Sequence, residues 1–82
     1  MANKDEDRGA WLEYVSEVTA ALDLPDSADA IEPILDIAAE VARRKLRPMA
    51  PVTTYLIGLA VGRGDDLDEA LATIDRLLPD AD

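Results

Sequence analysis

Eighty-two residues hold one domain, and at that size a single core is barely sufficient to keep a chain folded, so self-association is an expectation from length alone. With no cysteine and no histidine, the chain can build neither a disulfide framework nor a thiolate or imidazole metal site. A net charge of −10 and a pI near 4.2 argue against non-specific nucleic-acid binding, because the far field repels phosphate.

Residues 1–8 are almost wholly polar and read as a flexible lead-in, followed by a single helical domain over 9–79 and a short tail at 80–82. They lack the apolar stretch of a secretory signal, and the longest apolar run, Tyr55 to Val61, is too short to cross a bilayer. A cytoplasmic protein without a membrane partner is therefore expected.

The first periodic element places Trp11, Leu12, Val15, Val18 and Leu22 on one helical stripe, with Glu13, Ser16, Glu17 and Thr19 off it. Proline at position 25 restricts Leu24 and ends the element. Asp26, Ser27, Ala28 and Asp29 form a turn rich in capping residues. A second helix begins between Asp29 and Pro33, where Asp29 and Glu32 fit a capping box. Its apolar face is predicted to be Ile34, Leu35, Ala38, Val41, Ala42 and Leu46. Acids at 32, 36 and 40 precede bases at 43, 44 and 45, the order that suits the helix dipole.

The third helix is predicted to start with Pro51 at its first position and, being apolar on most sides, to be central and the most buried. Gly62, Arg63 and Gly64 end it. Asp65 or Asp66 then caps a fourth helix whose Leu67, Leu71, Ile74, Leu77 and Leu78 recur at helical spacing, and Pro79 closes it. Strand signals and internal repeats are missing, so the expected fold is all-α, a compact bundle of about four short helices.

Charge is unevenly distributed along this chain. From Val41 to Gly64 there is no acid, and Arg43, Arg44, Lys45, Arg47 and Arg63 make the window strongly basic, whereas the rest holds all 18 acids against Lys4, Arg8 and Arg76. Arg43, Arg44, Lys45 and Arg47, with Thr53 and Thr54 in the first turn of the third helix, form a candidate site for an anion or a protein partner. Free N–H groups at a helix start carry partial positive charge, and guanidinium and hydroxyl groups add donors. The alternative for the bases is that they close the second helix and pair with surface acids. Tyr55, Gly58 and Gly62 are candidates for a close helix contact or a dimer contact, and Trp11 reads as a core anchor.

Catalytic constellations are absent: no serine or threonine stands in a nucleophile elbow or a phosphate loop, and the acids 65, 66, 68 and 69 lack the alternating pattern of a calcium loop. The expectation is a non-enzyme with no cofactor and no metal. Asp26-Ser27 before a helix superficially resembles an acyl carrier protein. That family, however, has leucine after the serine and a long loop before it, so Ser27 reads as a turn residue.

Taken in order, Trp11-Leu12, Leu22-Asp23-Leu24, Leu35-Asp36-Ile37-Ala38, Val41-Ala42, Arg47-Pro48, Ala50-Pro51, Thr53-Thr54, Leu56, Gly58-Leu59-Ala60 and Gly62 resemble a small bacterial helical domain family of unknown function. Its members occur alone or as a C-terminal tail on molybdenum-cofactor guanylyltransferase-like proteins. Arg-Pro-x-Ala-Pro-x-Thr-Thr is the most specific part. The chain departs from the family pattern at Arg43-Arg44-Lys45, where a histidine-glycine pair is usual, so no role for that histidine carries over. The resemblance implies a non-catalytic accessory or protein-interaction domain associated with molybdenum-cofactor nucleotide metabolism. The alternative is a small anion- or nucleotide-binding module on the basic 43–54 segment. In either case a protein partner or a second copy is expected, most simply as a homodimer.

Overall fold

The computed structural model describes residues 4–80 and holds four α-helices and one 3-10 turn. In chain order these are α1 (Lys4–Leu22), the 3-10 turn (Ala28–Ala30), α2 (Ile31–Arg44), α3 (Met49–Gly62) and α4 (Leu67–Leu77). No strand occurs among the described residues, and the protein is all-α, as its periodicity predicts. The chain divides into two compact units, one ending at Glu32 and the other running from Pro33 onward.

In the first unit α1 packs against the 3-10 turn. It starts at Lys4, inside the segment expected as a lead-in. Trp11, Val15 and Val18 are half-buried, whereas Leu12 and Leu22 are exposed. The helix ends before Pro25 can act: Asp23 adopts a left-handed φ of 57°, the Leu24 N–H donates to the Thr19 carbonyl at 2.8 Å, and the Asp23 N–H donates to the Ala20 carbonyl at 3.3 Å. That pair of bonds is a Schellman motif with aspartate where glycine is usual.

The capping box expected of Asp29 and Glu32 does not form, because Asp29 lies inside the 3-10 turn and Glu32 already in the first turn of α2. Instead an Asp26 carboxylate oxygen accepts from the Ala28 N–H at 3.1 Å, the Ser27 hydroxyl donates to the Pro25 carbonyl at 3.0 Å, and Glu32 pairs with Arg8 of α1.

The second unit is organised around Ile37, Val41 and Ile57, with Ile34, Ala50, Leu67, Ala70, Leu71, Ile74 and Leu78 packed against them. The buried face of α2 is rotated from the expected one. Ile34, Ile37, Ala38 and Val41 share the inner side, and Leu35 lies about 100° around the helix from Ile34 and is exposed. Leu46 lies beyond the helix end and is exposed as well.

Helix α3 packs on α4 and begins two residues before Pro51, with Pro48 immediately before its first turn. A second Schellman motif ends it: Gly64 takes φ 109°, the Asp65 N–H donates to the Ala60 carbonyl at 3.0 Å, and the Gly64 N–H donates to the Val61 carbonyl at 3.0 Å. Asp66 then caps α4 by accepting from the Glu69 N–H at 3.1 Å, which settles the choice between Asp65 and Asp66.

Contrary to the expectation from its composition, α3 is not the most buried helix. Ile57 alone is enclosed, at 2% exposure, while Val52 (45%), Tyr55 (66%), Leu56 (53%) and Leu59 (54%) face outward.

Candidate interaction surface

The basic window does not act as one cluster. Arg44, the least exposed of its bases, directs its guanidinium to three acceptors: Glu40 at 3.0 Å, Asp75 of α4 at 2.9 Å and the Pro79 carbonyl at 2.8 Å. It thereby ties the end of α2 to the end of α4. Arg43 lies one residue back and pairs with the other Glu40 oxygen. Hydrogen bonding from Arg44, assisted by Arg43, holds the Glu40 carboxyl below its ordinary range against the opposing effect of partial burial. Arg44 is in turn raised, first by Asp75 and then by Glu40. Arg63 closes on Asp65 at 2.8 Å, which lowers the aspartate and raises the arginine.

Lys45 and Arg47 stand differently. Both are exposed, and neither makes a side-chain hydrogen bond or an ion pair among the described residues. They are not positioned over a donor-rich helix start. The Met49 N–H already donates to the Leu46 carbonyl at 3.0 Å, the Ala50 N–H to the Arg47 carbonyl at 3.1 Å, and Pro51 has no N–H to offer. Thr54 spends its hydroxyl on the Pro51 carbonyl at 2.9 Å, and Thr53 is half-buried beside it. The sequence brings these groups close in number, but the fold engages Arg43, Arg44 and Thr54 locally and leaves Lys45 and Arg47 facing solvent.

Gly58 and Gly62 meet no neighbour: a Cβ built on either has nothing within 4 Å. Tyr55 lies on the open side of α3. The side chains that composition did not single out are Val52, Leu56 and Leu59. With Tyr55 they occupy positions i, i+3, i+4 and i+7, one continuous stripe on the side of α3 away from Ile57. Their shared spacing was the available signal. It was masked because the inner face of the same helix is apolar too, which makes the segment look uniformly buried.

A helix of 14 residues with no charged side chain, which seats Ile57 in the core and leaves Val52, Tyr55, Leu56 and Leu59 exposed, marks a small all-α protein with an uncovered apolar face. Residues 6–82 match the domain of unknown function DUF6457, and the chain belongs to that family. No curated protein and no solved structure matches it. Among the described residues, no group of three acidic side chains is placed to hold a metal ion, and no helix is long and apolar enough to cross a membrane.

Proposed function

We propose that this DUF6457 chain is a non-catalytic accessory domain that binds another protein through the outward face of α3. The observation that carries this reading is the Val52, Tyr55, Leu56 and Leu59 stripe, since exposed contiguous apolar surface on a small domain is the usual mark of a protein contact. The association with molybdenum-cofactor nucleotide metabolism rests on the resemblance to a family whose members occur alone or as a C-terminal tail on guanylyltransferase-like proteins.

The test is co-purification of the chain with a molybdenum-cofactor guanylyltransferase-like protein from the same source. Capture of that enzyme by the wild type and its loss in Leu59→Glu, with the variant's helical circular dichroism unchanged, supports the proposal. Equal capture by both, or no capture by either, overturns it.

A second reading, an anion-binding module on residues 43–54, is favoured only by the unpaired Lys45 and Arg47. Titration with GTP and with inorganic phosphate tests it. Saturable binding that is lost in Arg47→Ala would favour the anion reading over the protein one.

A further inference from the structure

We infer that the first occupant of the α3 face is the same face of a second copy, packed antiparallel about a two-fold axis between Tyr55 and Leu56. This inference rests on the proposed role of α3 as an interaction surface and names its partner.

Self-complementarity is the first argument. The stripe Val52, Tyr55, Leu56 and Leu59 is symmetric in spacing about the midpoint between residues 55 and 56, and the whole helix, Met49–Gly62, has the same midpoint. An antiparallel pair about that point sets Val52 against the partner's Leu59 and Tyr55 against the partner's Leu56, so every exposed apolar side chain of the stripe meets another. An isologous contact requires that each patch complement itself, and this one does.

Charge is the second argument. No charged residue lies on α3, so nothing opposes the approach of the two helices. Just before the helix stand Lys45 and Arg47, which have no acid partner among the described residues. Just after it, beyond Asp65 held by Arg63 and Asp66 capping α4, stand Asp68 and Glu69 with no ion pair among the described residues. Antiparallel packing carries the basic end of one copy to the acidic end of the other, twice, and also opposes the two helix dipoles. Parallel packing would set Arg47 against Arg47.

Area is the third. Each of the four side chains exposes about half of its surface, so the stripe offers roughly 400 Å² per chain, and the pair buries roughly 800 Å² before flanking atoms such as those of Met49 contribute. That places the contact near the ~1,000 Å² at which specific interfaces begin, a reversible dimer rather than an obligate one.

Because the chain has no cysteine, single-cysteine variants report register without background. Under mild oxidation, Tyr55→Cys and Leu56→Cys should give covalent dimers, and Val52→Cys should not, since its two copies lie roughly 10 Å apart along the axis of an antiparallel pair. Sedimentation of the unmodified chain should show a monomer–dimer equilibrium. Leu59→Glu should weaken it at least tenfold. Arg47→Glu should weaken it about three- to tenfold, and adding Asp68→Lys should restore part of that loss.

Crosslinking of all three cysteine variants would indicate a parallel pair and overturn the inference. So would a wild type that stays monomeric at sub-millimolar concentration, or a dimer unaffected by Leu59→Glu. A monomeric wild type that still loses guanylyltransferase capture in Leu59→Glu would remove the self-partner and leave the proposed function standing. If that capture is also unaffected, both fall.

Discussion

Ile57 and Leu59 sit two residues apart on one helix, and the structure assigns them opposite consequences. Ile57 is 2% exposed and belongs to a set of three enclosed side chains, whereas Leu59 is 54% exposed. Truncating a buried isoleucine to alanine removes transfer free energy and leaves a cavity, typically about 2–5 kcal/mol. For a chain of this length the whole stability is on the order of 4–12 kcal/mol. Ile57→Ala is therefore expected to remove about 3 kcal/mol, a large share of the total. Leu59→Ala removes side-chain atoms already facing water and gains helix propensity, so its expected effect is within about 0.5 kcal/mol. Urea unfolding followed by helical circular dichroism measures both, at concentrations low enough that association does not contribute. With a slope of about 1 kcal/mol/M, the midpoint of Ile57→Ala should fall by roughly 2–3 M while that of Leu59→Ala stays put. Coincident midpoints, or a larger loss for Leu59→Ala, would refute the assignment of inner and outer faces on α3.

Other expectations follow from the ends and the ion pairs of the helices. Asp23→Gly should raise stability by up to about 1 kcal/mol in the same titration, since glycine takes the left-handed φ at the end of α1 without the steric penalty aspartate bears. Arg44→Lys should lower the melting temperature nearly as far as Arg44→Ala does, because an ammonium cannot serve Glu40, Asp75 and the Pro79 carbonyl with one planar fork, whereas Arg43→Lys should be tolerated. Glu40 is lowered in the folded chain by Arg44 and Arg43. Its contribution is thus complete above the unfolded value of 4.5 and is lost as pH falls through the lower folded value. Glu40→Gln should be less stable than the wild type at neutral pH, and the gap should narrow below pH 4.5 in acid melts.

Much of the architecture was legible because it follows from period and punctuation. The stripes of α1 and α4, the acid-first and base-last order of α2, and the breaks near Pro25, Gly64 and Pro79 are local signals that give the four helices and their order. The ends differ: α1 begins earlier, at Lys4, and ends at Leu22 with a left-handed Asp23, ahead of Pro25, and α3 begins two residues before Pro51. What could not be read was which of two apolar faces is the inner one. Leu35 and Ile37 lie about 160° apart on either flank of the shared Ile34, Ala38 and Val41 side, periodicity fits a face that takes in either flank, and only the packing of α3 and α4 selects Ile37. Helix α3 failed for the same reason in stronger form: apolar all round, it carries no sequence contrast between core and surface. The basic segment was visible as charge, but whether a base is free depends on acids brought from elsewhere in the fold. Asp75 stands 31 residues from Arg44 in sequence and 2.9 Å from it in space.

The charge-free composition of α3 also bears on how the chain behaves before it folds. Val52 to Val61 reads Val-Thr-Thr-Tyr-Leu-Ile-Gly-Leu-Ala-Val, a run rich in β-branched and aromatic residues, without proline or charge. In isolation such a segment favours extended pairing, and its helical state depends on Ile57 being seated against α2 and α4. Pro51 on one side and Arg63 with two glycines on the other bound the run and act as gatekeepers against in-register stacking. The segment proposed as an interaction surface is thus also the one most exposed to misassembly during synthesis or refolding. Yield at high concentration should respond more to substitutions within these ten residues than to changes anywhere on α1.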